Sequence, residues 1–217
     1  MPCRCSAAES LDIFSEKAAR RELRRYVRNG LGAEDARLIA EWAEDGGLQG
    51  ATVVEVGGGV GQIQAELLRR GAASGSIVEV VAGYEEPAAA LARAVQVAER
   101  TSFVLADLLE EPDAVPPADI VVLRRVVCCS PSGPELLAVA AGKARRTLLA
   151  SYPRDRAAIR AAARAQNLFF ALVRKRFRVF VHSPSEMQRA AEQRGLAKQR
   201  VSRGAIWETV QFEAAAS

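Results

Sequence analysis

The sequence predicts an α/β fold: a seven-stranded, mostly parallel sheet with an antiparallel C-terminal hairpin and helices on both faces. Three observations predict it. Between residues 52 and 151, short β-rich runs that are apolar throughout alternate with helical stretches, as strands buried on both faces do. A glycine-rich turn, Gly57-Gly58-Gly59-Val60-Gly61, directly follows the first of those runs and precedes a helix. The last two β-rich runs are joined by only Arg203-Gly204-Ala205, a link too short for anything but antiparallel pairing.

Taken in order, the chain opens on Met1-Pro2-Cys3-Arg4-Cys5-Ser6, without the apolar stretch of a secretory signal. Ser15 to Asn29 reads as a basic amphipathic helix, with Leu23, Tyr26 and Val27 on one face and Asn29-Gly30 as its stop. A second helix, Ala33–Glu44, carries Leu38, Ile39 and Trp42. Together they are expected to form an N-terminal helical cap over residues 1–47, ahead of a main domain at 48–217. The cations Lys17, Arg20, Arg21, Arg24, Arg25 and Arg28 give the first helix either a solvated basic face or the surface of a closing lid.

Expected parallel strands are Thr52–Val56, Ser76–Val81, Ser102–Leu105, Asp119–Leu123 and Thr147–Ser151, with helices at Gln62–Arg70, Pro87–Glu99 and Pro134–Ala144. A long helix rich in Ala, Arg and Phe follows at Asp155–Lys175. Ser183-Pro184-Ser185-Glu186 has the form of a capping box with proline at the first helical position, and that helix should stop at Gly195. The closing hairpin is expected at Leu196–Ser202 and Ile206–Phe212.

With 217 residues, 49% of them apolar, the chain suits one α/β domain, or one domain with a short appendage. It contains no apolar run long enough to span a bilayer, so no membrane span is expected and the expected location is the cytoplasm. The cysteines form two close pairs, Cys3/Cys5 and Cys128/Cys129. Neither has the spacing of a zinc site, so plain thiols and no metal are expected. From Lys143 to Arg203, sixteen Lys or Arg face three acids, so this half is expected to meet an anion or to carry a solvated basic face.

The glycine turn discriminates between ligands. As a dinucleotide fingerprint starting at Gly57, its third glycine would fall on Gln62, and the match fails. It does fit an acid-headed pattern, Glu55-x-Gly57-x-Gly59-x-Gly61. A dinucleotide brings a pyrophosphate that seeks a bare helix N-terminus. S-Adenosylmethionine has no phosphate but carries an ammonium, a carboxylate and a sulfonium. An acid at Glu55 can serve the ammonium, and glycines without Cβ let the backbone lie against methionine and ribose. Glu79 ends the second strand, where an acid can accept both ribose hydroxyls. Asp107 follows the third strand, where a carboxylate can accept the adenine amino group.

Through these residues the stretch from Thr52 to Leu123 resembles the class I S-adenosylmethionine-dependent methyltransferases, which implies a Rossmann-like fold. The resemblance implies cofactor contacts at Glu55, Val56, Gly57, Gly58, Gly59, Gly61, Glu79, Val80, Asp107, Leu108 and Arg124. The run after the fourth strand, Leu123-Arg124-Arg125-Val126-Val127-Cys128-Cys129-Ser130-Pro131, is where such enzymes commonly place residues facing the transferred methyl. It lacks the (Asp/Asn/Ser)-Pro-Pro-(Tyr/Phe) motif of DNA adenine enzymes. The order Cys129-Ser130-Pro131 is also not the Pro-Cys of cytosine-C5 enzymes.

A second likeness covers the C-terminal half. Arg146–Arg156 (a strand, then Ser151-Tyr152-Pro153-Arg154), the basic aromatic helix to Phe180, Phe180-Val181-His182 and the closing Ile206-Trp207-Glu208-Thr209-Val210-Gln211-Phe212 are similar to magnesium-protoporphyrin O-methyltransferases. Those esterify a propionate carboxylate on a tetrapyrrole. Where that family tends to show His-Tyr-Pro, this chain has Cys129-Ser130-Pro131.

The only histidine, His182, is read as a packing or hydrogen-bonding residue, or as a substrate contact and general base. Candidate substrate contacts are Tyr26, Arg125, Cys129 and His182. The expected activity is methyl transfer from S-adenosylmethionine to a small molecule, an anionic one included, at a hydroxyl or carboxylate oxygen. A nucleic-acid methyltransferase using the basic half is the alternative, although the missing base-specific motifs weigh against nucleic acid. A non-catalytic protein that binds S-adenosylmethionine or another nucleotide, or one that uses NAD, also stays open.

Overall fold

The computed structural model describes residues 10–44 and 47–214, so the Cys3/Cys5 pair lies outside the described residues, as do the side chains of Leu38 and Trp42. The element order is α1 (Glu16–Asn29), α2 (Ala33–Glu44), β1 (Thr52–Val56), α3 (Gln62–Arg69), β2 (Ser74–Glu79), α4 (Glu85–Ala94), β3 (Thr101–Leu105), β4 (Ala118–Arg124), α5 (Gly133–Ala141), β5 (Ala144–Pro153), α6 (Ala157–Leu172), α7 (Pro184–Glu192), β6 (Leu196–Arg203) and β7 (Trp207–Ala214). One seven-stranded sheet runs in the order β3-β2-β1-β4-β5-β7-β6. The β1–β5 pairings are parallel, and β7 pairs antiparallel with both β5 and β6. This is a Rossmann-like architecture, with the sheet and terminal hairpin the sequence predicts.

Because side chains alternate across a strand, the sheet divides the apolar residues between two cores. Val54, Val56, Val121, Leu123, Leu148 and Phe212 pack with Leu137 of α5 and Met187 of α7. Val53, Ile120, Val122 and Leu149 pack on the other face with Ala19 and Tyr26 of α1, Ile39 of α2 and Leu67 of α3. The N-terminal helices therefore share a core with the sheet. Among the described residues no helix is long and apolar enough to cross a membrane.

Helix ends show which local signals act. Ser15 caps α1 by accepting from the Ala18 amide at 3.3 Å, and Gly30, at φ 66°, stops it as expected. Two of the helices that end earlier than periodicity suggests, α4 and α6, end on left-handed residues. Gln96 and Arg174 adopt φ of 62° and 57°, and the next amides, of Val97 and Lys175, donate to Ala92 and Phe170 at 2.9 and 2.7 Å. Both are left-handed terminations without glycine, hence invisible to a search for glycine stops. The expected capping box at Ser183 is not formed. The Ser183 hydroxyl lies 2.8 Å from that of Ser185, and the first turn closes through the Ser183 carbonyl on the Glu186 amide at 3.0 Å.

Candidate functional site

The site is built where the parallel order reverses. β1 lies between β2 and β4, so the segments leaving β1 and β4 diverge and open a crevice at the strands' carboxyl ends. The turn from β1 to α3 lines it. Gly57, Gly59 and Gly61 have φ of 62°, 57° and 74°, a region other residues enter at a cost. Two of them are also crowded. A Cβ on Gly57 would lie 2.3 Å from Cγ2 of Val126 in the post-β4 loop, and one on Gly61 would lie 2.3 Å from Cδ1 of Ile77. Glycine here lets the turn press on β2 and on the post-β4 segment at once.

Three carboxylates surround this turn, and only two were expected there. Glu55 is 2% exposed, and its Oε2 accepts from the Gln64 amide at 3.0 Å. Burial pushes its carboxyl up to about 8, against the Gln64 hydrogen bond and with the charges of Glu22, Asp35 and Glu79 adding to the rise. It sits beneath the turn and caps α3, which corrects the expectation that it faces a ligand's ammonium. Glu79 is at the end of β2 as expected. Its Oε2 accepts from the Gly59 amide at 3.1 Å, and its Oε1 from Val80 and Val81 at 2.9 and 3.1 Å. Burial raises its pKa while those amides oppose the rise.

The third acid, Glu22 of α1, is the residue the sequence reading missed. Its Oε1 accepts from Gln62 Nε2 at 2.9 Å, and its Oε2 would lie 3.5 Å from a Cβ on Gly59. Burial raises its pKa, Arg25 opposes, and Glu79 adds to the rise. A glutamate among the six cations of a helix gives no signal in sequence; only the packing of α1 brings it to the glycine turn.

Asp107 follows β3 at the same end of the sheet, half-buried, with Oδ1 accepting from the Leu109 amide at 3.0 Å. Leu108 and Val56 point into the core, so they can offer a ligand only backbone. Arg124 is committed elsewhere: its Nε is hydrogen-bonded to Asp35, and its Nη1 donates to the Ser151 hydroxyl at 3.3 Å. It fastens α2 to the ends of β4 and β5, and its side chain is only 9% exposed, a correction to its assignment as a cofactor contact.

In the loop after β4, Arg125 takes a φ of 58° and turns its guanidinium over the Trp207 ring, 4.7 Å from the centroid, while Nη2 reaches Glu34 at 3.2 Å. Cys128 and Cys129 both direct their sulfurs at the Arg125 carbonyl, at 3.4 and 3.7 Å. Hydrogen bonding to Cys128, together with burial, holds the Cys129 thiol above its usual range, so it is no ready nucleophile. His182 is 9% exposed, with Nε2 at 3.0 Å from both the Val127 and Ser130 carbonyls. Flanked by two acceptors, Nε2 must carry the proton and donate it. The imidazole thereby pins the post-β4 loop rather than taking a proton through that nitrogen. Tyr26 is not with this group. It is 4% exposed, and its hydroxyl donates to Glu66 Oε1 at 2.6 Å, which with burial raises its pKa to about 12. It belongs to the α1–α3 contact, a correction to its reading as a substrate contact.

The donor set fits a cationic ligand group and not a pyrophosphate. The first turn of α3, which a pyrophosphate would need, is already capped by Glu55, and the approach is flanked by Glu22 and Glu79. Among the described residues no group of three or more His, Cys, Asp or Glu could hold a metal ion.

No family model and no curated protein matches the sequence. Solved structures do match in fold. The magnesium protoporphyrin IX methyltransferase of Synechocystis PCC 6803, solved with bound S-adenosylhomocysteine, is similar over 94% of this chain and 97% of its own, with a TM-score of 0.73 and 17% identity. An O-methyltransferase family protein from Burkholderia thailandensis gives a TM-score of 0.71 and 18% identity, covering 93% of this chain and 60% of its own. A Pyrococcus horikoshii protein described as an RNA methyltransferase gives 0.59 and 12%, covering 84% and 85%. At such identities the likeness is one of fold.

Proposed function

We propose that this chain is an S-adenosylmethionine-dependent methyltransferase acting on a small anionic molecule at oxygen. The observation that carries the reading is a glycine turn flanked by carboxylates, with its helix N-terminus already capped, at the switch point of a class I methyltransferase sheet. Glu22 lies above Gly59 and suits the methionine ammonium. Glu79 suits the ribose hydroxyls once its carboxylate turns from the backbone amides, and Asp107 suits the adenine amino group. Val56, Gly57, Gly58, Gly59, Gly61, Val80 and Leu108 then offer backbone surface along the same path. The solved neighbour with bound S-adenosylhomocysteine supports the choice of cofactor.

When bound, the cofactor supplies an electrophilic methyl on a sulfonium. The protein's own residues have three tasks: to hold the acceptor in line with it, to exclude water and to fix the post-β4 loop. A carboxylate or phenolate is already a competent nucleophile and needs no strong base. This agrees with a His182 whose Nε2 is spent on two carbonyls. Arg125, stiffened by Trp207 and partly exposed beside Glu34, is the candidate anchor for the acceptor's charge, with Cys129 beside it. The magnesium protoporphyrin IX methyltransferase and the O-methyltransferase family protein among the solved neighbours support an oxygen acceptor.

Calorimetry tests the first half of the reading. S-Adenosylhomocysteine should bind with a Kd on the order of micromolar and NADH should not bind. NADH binding without S-adenosylhomocysteine binding would overturn it. Arg125→Ala tests the acceptor: KM for a carboxylate-bearing acceptor should rise about tenfold or more, with the S-adenosylhomocysteine Kd unchanged.

A further inference from the structure

Among the described residues, α6 is a little-buried helix that carries cations and no acid. Of the 16 residues of α6, only Ala163 is buried. Leu168, Phe169 and Leu172 on its last turns, with Val173 just beyond, are 63%, 59%, 74% and 48% exposed. Their spacing puts them on one side of the helix, and Arg160 and Arg164 continue the Leu168–Leu172 row toward its start. Immediately after follow Arg174, Lys175, Arg176 and Arg178. From residue 157 to residue 185 there are six cations and no acid. The nearest acids are already engaged: Asp155 with Arg160, and Asp12 with Lys175 and the amides of Arg176 and Phe177.

This apolar ridge is held rigidly. Asn167 clamps the returning segment by accepting from the Val179 amide at 2.8 Å and donating to its carbonyl at 2.9 Å. Beneath, Phe177 packs edge-on against Phe14 and Phe170, at 5.4 and 5.6 Å between centroids. The body of the protein thus buries one side of this segment and leaves apolar side chains outward inside a collar of positive charge.

We propose that the C-terminal end of α6 with residues 173–178 docks on an anionic lipid surface, Leu168, Phe169, Leu172 and Val173 entering the acyl boundary while Arg164 and Arg174 meet headgroup phosphates. Apolar area and anion attraction add in such binding, and each alone is weak. Three of the four ridge side chains are aliphatic, which favours lipid over nucleic acid, whose bases stack on aromatics and whose backbone offers Leu and Val nothing. Since no described helix can cross a bilayer, the attachment is peripheral.

Co-sedimentation with vesicles tests this with the full chain. The protein should pellet with vesicles containing about one-third phosphatidylserine, stay in solution with pure phosphatidylcholine, and be released by high salt. Phe169→Ser with Leu172→Ser should lower partitioning about tenfold or more, and so should Arg164→Glu with Arg174→Glu. Unchanged circular dichroism and S-adenosylhomocysteine binding would show both variants folded. No binding to anionic vesicles at low salt, or binding unaffected by the apolar pair, would overturn the proposal. So would a dimer in sedimentation equilibrium that the apolar pair dissociates without vesicle binding by wild type, or salt-sensitive RNA binding in its place.

Discussion

Beneath the glycine turn, Glu55 joins two roles that conflict: it caps α3, and it is too buried to ionise cheaply. Its carboxyl is raised from 4.5 to about 8, so the folded protein keeps a proton there that the unfolded chain releases. A raised carboxyl favours folding most below its unfolded value, and stability is lost as pH rises toward the folded one. The window therefore runs from about pH 4.5 to 8. Glu55→Gln retains an acceptor for the Gln64 amide without the charge. Its thermal midpoint should lie roughly 4–8 °C above wild type at alkaline pH and converge at acid pH. A constant difference across that window would show that Glu55 is ionised throughout. Glu22→Gln preserves the Gln62 contact, so its midpoint should hold while the S-adenosylhomocysteine Kd rises about tenfold. An unchanged Kd would remove Glu22 from the site. The strand-end positions of Glu79 and Asp107 were legible because pattern locates strand ends. That Glu55 turns inward and Glu22 arrives from another helix was not, since side-chain direction and helix docking are tertiary outcomes.

At the scale of elements, the post-β4 loop is where we propose that the acceptor is held, and His182, just before α7, fixes that loop. A Cβ on Gly133, the first residue of α5, would lie 2.3 Å from His182 Nε2 and 2.8 Å from the Val127 carbonyl. Gly133→Ala should therefore force the imidazole off its two carbonyls. Turnover should fall about tenfold or more while S-adenosylhomocysteine still binds. His182→Ala should do the same, with partial rescue by His182→Gln, whose amide can donate to the same carbonyls. An inactive His182→Ala that also loses cofactor binding would contradict a loop-positioning role. The strand–helix alternation was plain because strands buried on both faces read as continuous apolar runs. Helix ends at Gln96 and Arg174 were hidden, because left-handed termination by a non-glycine residue depends on tertiary contacts. The capping box at Ser183 shows the converse, a correct local motif whose hydroxyl is diverted to Ser185.

Across the whole molecule, the two cores explain why the N-terminal helices are more than a detachable lid. Ala19 and Tyr26 of α1 close the face of the sheet formed by Val53, Ile120 and Val122, and the same helix delivers Glu22. Deleting residues 1–30 should lower the thermal midpoint by roughly 10 °C or more, as well as weaken cofactor binding. An unchanged midpoint would mean that α1 contributes nothing to the core. The fold was legible in the sequence at this scale because topology follows from the order of runs and the length of the hairpin link. The most direct test of the central claim is a crystal structure with S-adenosylhomocysteine. The homocysteine amino group should lie within hydrogen-bond distance of Glu22, the ribose hydroxyls on Glu79 and the adenine amino group at Asp107. A ligand bound away from Gly57–Gly61, or a crevice that stays empty at saturating ligand, would contradict it.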